Sequence, residues 1–174
     1  MIDNFSRRIL AWNVLGTFDA EFTAKLLLDA VRNMNSSGVP TLMTDGGGEN
    51  FNPAVDELER SGLLKRVLAQ TDIQFSNSLI ESWWRVLKHQ WLYLNTIDTL
   101  ATVHKLVAFY VEQHNKHLPH AAFHGQTRAE MYFGTGSEVP KQLEAAKGAA
   151  RQVRLTVNRA VRCQSCSEPV AISS

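Results

Sequence analysis

The chain has 174 residues, of which 44% are hydrophobic and 20% are charged, and its formal net charge at pH 7 is +1. These values fit one ordinary globular domain with a real core. No apolar run reaches the roughly 18 residues that a membrane span needs, the first residues lack the pattern of a secretory signal, and two cysteines make no disulfide framework. We therefore expect a cytoplasmic protein that does not contact a membrane.

The first half of the chain predicts strands and helices in alternation. Residues 2–15 are rich in β-favouring side chains and predict a strand. Asp19 is suited to cap a helix whose apolar residues recur at helical spacing as far as Met34. The short apolar run 41–44 predicts a strand, and the pair Asn52-Pro53 predicts a helix start with proline at the first helical position. A second short strand is expected within residues 63–69.

The second half predicts helices. One apolar stripe with helical spacing predicts a long helix; its members are Ile80, Trp84, Leu87, Trp91 and Leu94. A second helix is expected over residues 98–115. Residues 136–150 suggest a linker that leads into a basic, alanine-rich helix. The alternation of strands and helices predicts an α/β fold, with one domain over residues 1–135 and a linker and tail over residues 136–174.

A glycine-rich stretch follows the central apolar run. TDGGGENF places Asp45 at the end of a predicted strand and before three glycines, a pattern that by itself indicates a turn. Further along the chain, Glu81 begins the long helix, with 35 residues between it and Asp45. Arg85 and Lys88 follow on the same helix face, one and two turns beyond Glu81.

This combination of residue types suits metal-assisted phosphodiester chemistry. Two carboxylates that are brought together repel each other unless a divalent cation lies between them. Oxygen ligands of this kind suit Mg²⁺ or Mn²⁺. Cations one or two helical turns away would then hold a phosphate backbone across the metal. For Trp83, Trp84 and Trp91 a core position is favoured over base stacking, but at least one of them must lie off the core stripe.

In four segments the sequence resembles the integrase catalytic core of DDE transposases and retroviral integrases, and above all bacterial insertion-sequence transposases. The segments are IDNFSRRILAW (2–12), TDGGGENF (44–51), NSLIESWWRVLKHQWL (77–92) and YVEQHNKHLPHAAFHGQTRAEMYFG (110–134). The resemblance implies a ribonuclease-H-like fold, a site with two divalent metals (Mg²⁺ or Mn²⁺), DNA as substrate and a homo-oligomer. It makes Asp45 and Glu81 catalytic metal ligands and Lys88 a DNA contact, with Arg85 as a further DNA-contact candidate.

The family pattern has three carboxylates, of which the resemblance makes Asp45 the second and Glu81 the third. The first lies on a strand upstream of the segment matched by IDNFSRR. No acidic residue before Asp45 takes its place; those residues are Asp3, Asp19, Glu21 and Asp29. We therefore expect a core that is incomplete at its N-terminus, with an unpaired sheet edge and an uncovered apolar face, and weak activity from the 174-residue chain alone.

The C-terminal region raises two further questions. Residues 141–174 carry six basic and two acidic side chains, an asymmetry that suits phosphate contacts, although a solvated helix is the simpler interpretation. Cys163 and Cys166, together with histidines of the segment 114–124, suggest a zinc site. The long interval between the two groups favours a structural role for the histidine segment instead.

Two functions follow as alternatives. The first is a transposase that hydrolyses and joins DNA at the ends of a mobile element, with Asp45 and Glu81 as metal ligands. The second is a non-catalytic DNA-binding or subunit-interaction form of such a protein, which the absence of the first catalytic Asp favours. A helix-turn-helix partner encoded upstream is compatible with both.

Overall fold

The computed structural model describes residues 1–17, 20–35, 38–69 and 78–165. The predicted cap Asp19 and most of the predicted loop 70–78 lie outside these ranges. Six helices and two strands are numbered here in chain order. They are α1 (Ala20–Arg32), β1 (Thr41–Thr44), α2 (Pro53–Arg60), β2 (Lys65–Leu68), α3 (Ser78–Gln90), α4 (Leu100–Glu112), α5 (Arg128–Phe133) and α6 (Val139–Ser165).

The segment before α1 forms a tight reversal, and the strand predicted over residues 2–15 is wrong. The backbone makes a single antiparallel bridge between Ile2 and Ile9. The Asp3 carboxylate accepts hydrogen bonds from the Ser6 backbone N–H at 2.7 Å and from the Ser6 hydroxyl at 2.6 Å. Arg7 adopts a left-handed conformation with φ of 63°. The hydrogen bonds between Asp3 and Ser6 thus stabilise a chain reversal, although the surrounding residues have a preference for extended strand conformation.

The elements α1, β1, α2 and β2 form one packed unit. The two strands pair in parallel, with Thr41 opposite Lys65 and Thr44 opposite Leu68. Asn52 caps α2 by accepting from the backbone N–H groups of Ala54 and Val55 at 3.1 Å, so the predicted helix start is confirmed. Both predicted short strands are also confirmed. The apolar cluster of this unit, called the strand cluster below, has the buried members Ala24, Leu27, Val55, Leu58 and Leu64.

One face of the two-stranded sheet is poorly covered by the described residues. Met43 and Val67 are partners across the two strands, and they are 53% and 46% exposed. The uncovered apolar face that the sequence analysis attributes to missing upstream strands stays a prediction. The architecture is thus a helix-rich α/β fold with a small parallel sheet.

A second unit is built from α3, α4 and the N-terminal reversal. Its apolar cluster, called the helix cluster below, has the buried members Ile9, Trp83, Leu87, Val107 and Val111. The predicted stripe on α3 is therefore partly wrong: Trp83 is 8% exposed, whereas Trp84 is 44% exposed. The helix also ends at Gln90, before Trp91 and Leu94. Trp83 lies three positions after Ile80 and Trp84 lies four, so helical spacing alone allows either to share the face of Ile80. Packing against α4 places Trp83 in the core.

The helix predicted over residues 98–115 exists as α4, which Thr99 caps by accepting from the Thr102 backbone N–H at 3.1 Å. A short π-helical turn, Gln113–His117, follows it. The basic, alanine-rich helix predicted for the C-terminal region is confirmed as α6. It begins at Val139, so the linker that leads into it is shorter than the range 136–150 suggested. None of the described helices is both long and apolar enough to cross a membrane.

Candidate nucleic-acid interface

The outward face of α3 gathers the charged residues that the sequence singled out. Because Trp83 and Leu87 are buried against α4, the opposite side of the helix faces outward. Glu81, Arg85 and Lys88 are all exposed on that side. With Trp84 and His89 they line an open depression of about 560 Å³. The structure therefore brings together three of the four predicted site residues.

Trp84 forms an apolar surface within this depression. Its ring meets the buried Trp83 ring edge-on, with 5.1 Å between centroids and 70° between planes. The Lys88 ammonium lies 5.8 Å from the Trp84 ring centroid, which is within the range of a cation–π contact. The expectation that at least one tryptophan lies off the core stripe is confirmed, and that tryptophan is Trp84.

Asp45 lies at the end of β1 and is exposed. Its Oδ1 accepts hydrogen bonds from the Gly47 backbone N–H at 3.3 Å and from Asn50 Nδ2 at 3.0 Å. This is the turn geometry that an Asp before glycines favours. A side chain at Gly47 would lie 2.5 Å from a carboxylate oxygen of Glu49. Gly47 thus lets a second carboxylate lie against the loop that follows Asp45.

Arg66 holds this loop, and sequence reasoning missed it. Its side chain, 13% exposed, forms ion pairs with Asp56 at 2.7 Å and with Glu59 at 3.0 Å. It also donates to the Asn50 carbonyl at 2.8 Å, and its guanidinium lies 4.4 Å from the centroid of the Phe51 ring. A lone arginine in a short strand gives no signal of this role, because its four partners, all within residues 50–59, stand at no periodic spacing from it.

Asp45 and Glu81 are not joined by the contacts that the structure describes. Asp45 does not line the depression on α3, and over the described ranges no hydrogen bond or ion pair links it to Glu81, Arg85 or Lys88. The chain that runs from β2 to α3 includes residues 70–77, which are outside those ranges. Glu81 lies near Arg85 and Lys88 because the three residues share one face of α3.

The case for a divalent metal at Asp45 and Glu81 rests on the chemistry of their carboxylate oxygens. Carboxylate oxygens are suitable ligands for Mg²⁺ or Mn²⁺, and Asp45 and Glu81 supply them. Among the described residues, however, no three His, Cys, Asp or Glu side chains are close enough to hold a metal ion together. A site for Mg²⁺ or Mn²⁺ that involves Asp45 and Glu81 stays a prediction.

The histidine segment after α4 is tied to the N-terminal reversal. The Asn115 side chain accepts from the Ile9 backbone N–H and donates to the Ile9 carbonyl, each at 2.9 Å. The ring Nε2 of His114 lies 3.0 Å from the Arg7 carbonyl, so it carries the proton and donates. Both residues are buried. These contacts confirm the structural interpretation of His114 and Asn115.

Stability is expected to depend on the protonation of His114. Burial is the main cause that lowers the pKa of His114 to about 4, and the positive charge of Arg128 acts in the same direction. Between the ordinary pKa of about 6.5 and this value the unfolded chain binds a proton that the folded chain does not. The free energy of unfolding should therefore fall as pH is lowered from about 6.5 towards 4, and His114 should contribute no slope above that window.

A comparison of urea denaturation between the native chain and His114→Gln checks this, because the glutamine amide keeps a donor but does not titrate. The His114→Gln variant should show a shallower loss of stability across the same window. Equal slopes in the two proteins would contradict the assignment. Titrating groups that do not interact with His114, such as the Met1 amino group, contribute equally to both proteins and cancel.

The proposed cysteine ligands cannot be placed relative to the histidines. Cys166 lies outside the described residues, and Cys163 is described only through the backbone of α6. The zinc alternative stays a prediction. His117 and His124 are exposed, whereas His114 is committed to the Arg7 carbonyl.

Comparison with known proteins adds no family assignment: no protein-family model matches the chain, and no curated protein matches it significantly.

Proposed function

We propose that the chain binds DNA through the exposed face of α3 and represents the catalytic core of a DDE-type transposase. One observation carries the DNA-binding part: Arg85 and Lys88 lie in one open depression with an exposed aromatic ring, Trp84. Arginine and lysine bind phosphate oxygens, and an aromatic surface suits a base or a sugar. In this proposal Arg85 and Lys88 position the phosphate backbone beside Glu81.

The transposase part of the proposal rests on the order and placement of the elements. Asp45 follows a parallel strand at its carboxyl end, and Glu81 lies in the first turn of a helix with cations on the same face. That order is compatible with a ribonuclease-H-like core. Asp45 and Glu81 would hold Mg²⁺ or Mn²⁺, which when bound supplies charge stabilisation and nucleophile activation for phosphodiester cleavage. Two copies of the chain would act together on two DNA ends, with or without a helix-turn-helix partner.

A second candidate is DNA binding without catalysis. It is favoured by a specific observation: Asp45 lies outside the depression that holds Glu81, Arg85 and Lys88. A phosphate-binding face needs only the cations, and it does not require the two carboxylates to meet. Metal-dependent cleavage of DNA therefore distinguishes the two candidates, whereas DNA binding is common to both.

Charge reversal on α3 is expected to weaken DNA binding and its salt dependence. Each of Arg85→Glu and Lys88→Glu removes one cation from the depression, so the slope of log Kd against log salt should fall by about 1 per variant. Fluorescence anisotropy with a labelled DNA duplex over a series of salt concentrations measures this slope. Lys25→Glu makes the same charge change on the exposed side of α1 and should alter the slope less.

Two outcomes of this experiment would decide the proposal. If the native chain does not bind DNA at low salt, or if Lys25→Glu weakens binding as much as Lys88→Glu does, the α3 face is not the interface. If DNA is bound, incubation with Mg²⁺ or Mn²⁺ follows. Cleavage or joining that disappears in Glu81→Gln supports the transposase, and its absence in the native chain supports the binding module.

A further inference from the structure

The helix α6 is exposed along nearly all of its length. It has 27 residues, and every residue from Lys141 to Val161 is exposed. Near its start, Leu143 lies against Gly125, where an added Cβ would be 2.7 Å from Leu143 Cδ2. Because isolated helices gain little stability in water, a long helix usually depends on the packing of an apolar face. In the described residues α6 has no such packing beyond its first turns.

The apolar residues of α6 recur with the period of a coiled coil. Seven positions alternate in steps of four and three residues without a break; they are Val139, Leu143, Ala146, Ala150, Val153, Val157 and Ala160. This spacing is that of positions a and d of a heptad. Leu143, Val153 and Val157 are 38%, 62% and 55% exposed. The stripe, called the α6 seam below, is thus apolar and continuous. Its first two members lie against Gly125, and from Ala146 onward it is open to a second helix.

A heptad stripe is covered best by another helix with the same period, and the chain itself supplies one. The alanines of the α6 seam allow close approach of two backbones, and the valines supply most of the buried area. Val161 borders the seam and extends it at the C-terminal end. Leu155 lies on the opposite side of the helix and takes no part.

The charges beside the α6 seam favour one orientation. Lys147 and Arg154 flank it on one side, whereas Gln142, Ala149 and Thr156 flank it on the other. In a parallel pair the first side of each helix faces the second side of its partner, so each cation meets a neutral residue. In an antiparallel pair the two cationic sides face each other, and Lys147 lies beside Arg154 of the other copy, which repels it. Because Lys147 pairs with Glu144 of its own helix at 2.7 Å, this repulsion is reduced and the preference for the parallel pair is small.

We propose that two copies of this chain associate through α6 as a parallel two-stranded coiled coil. The proposal does not depend on DNA binding by α3. In this dimer Arg151 and Arg159 point away from the seam, so association leaves them free for solvent or for an acidic ligand.

Sedimentation equilibrium of the full chain tests the proposal. The average mass of the native chain should rise with concentration from 19.5 kDa towards twice that value. The double variant Val153→Asp/Val157→Asp should lose this rise, because it places carboxylates within the seam. The control Gln152→Asp/Asn158→Asp adds the same charge on the same helix outside the seam and should keep it. A native chain that stays monomeric, or a seam variant that still dimerises, overturns the proposal.

Cysteine cross-linking tests the orientation. In a background in which Cys163 and Cys166 are replaced by serine, Val153→Cys should form a disulfide-linked dimer under mild oxidation, because a parallel pair places the two equivalent d positions side by side. Arg151→Cys, on the outer side, should not. A concentration-dependent dimer in which Val153→Cys fails to cross-link overturns the parallel arrangement, and a chain that dimerises without binding DNA would affect only the function proposed for α3.

Discussion

Replacing Asn115 by alanine is expected to destabilise the folded chain by about 2–4 kcal/mol, since the change leaves two buried backbone groups without partners. The native amide serves both the N–H and the carbonyl of Ile9, each at 2.9 Å. Ile9 itself is 4% exposed and belongs to the helix cluster. Because the Ile9 N–H and carbonyl are buried, water does not readily replace the lost amide. The decrease in the free energy of unfolding should therefore approach the full desolvation cost of these two groups. Urea denaturation followed by tryptophan fluorescence measures the change.

Two variants frame this expectation. Asn95→Ala removes an exposed amide that donates to the Trp91 carbonyl at 2.7 Å, and it should cost no more than about 0.5 kcal/mol. Asn115→Asp keeps the acceptor for the Ile9 N–H but loses the donor, so it should also be destabilising. If Asn115→Ala were as mild as Asn95→Ala, the N-terminal reversal would be held by its apolar contacts and not by this amide.

Replacing Arg66 by alanine is expected to destabilise the unit formed by α1, β1, α2 and β2, called the strand unit below, by about 2–3 kcal/mol. This value is below the range for a fully buried ion pair because the carboxylate partners of Arg66 are partly exposed. The change removes two ion pairs, a hydrogen bond to the Asn50 carbonyl and a contact with Phe51. Arg66→Lys should recover only part of the loss, since an ammonium lacks the planar fork that serves several acceptors at once. Denaturation measures the stability of both variants.

Hydrogen exchange locates the effect of Arg66. The amides of residues 45–52 should exchange faster in Arg66→Ala, because their loop loses its link to α2. As a control, Arg60→Ala removes an exposed ion pair between Arg60 and Glu57 on α2. It should change the free energy of unfolding by no more than about 0.5 kcal/mol. Faster exchange spread evenly over the whole chain, with no excess in residues 45–52, would show that Arg66 supports the fold in general and not this loop.

Local signals in the sequence predicted the elements whose causes are local. Asn52 and Pro53 marked the start of α2 because capping involves adjacent residues, and the apolar run 41–44 became β1. The face of α3 was harder to predict. Trp83 and Trp84 are adjacent and chemically identical, so only the position of α4 decides which of them is buried. The reversal at residues 3–7 is stabilised by hydrogen bonds from the Ser6 backbone and hydroxyl to the Asp3 carboxylate, which the extended-strand pattern of residues 2–15 does not reveal.

The same division applies to the candidate site. Glu81, Arg85 and Lys88 come together because residues four and seven apart share a face of any α-helix. The position of Asp45 relative to that face is a matter of tertiary structure, and no periodicity encodes it. Arg66 and Asn115 escaped notice because no periodic spacing links either of them to its partners. The hydrogen-bond partners of Arg66 are 7 to 16 positions away, whereas Asn115 and Ile9 are 106 positions apart.

Asp45 and Glu81 are attached to different apolar clusters, and this separation has a thermodynamic consequence. The loop after Asp45 is held by Arg66 to the strand unit, whose core is the strand cluster. Glu81 lies on α3, whose inner face belongs to the helix cluster. Any ligand that engages both carboxylates therefore selects one relative placement of the two clusters. The coupling is reciprocal: the free energy by which the ligand stabilises this placement equals the free energy by which the placement strengthens ligand binding.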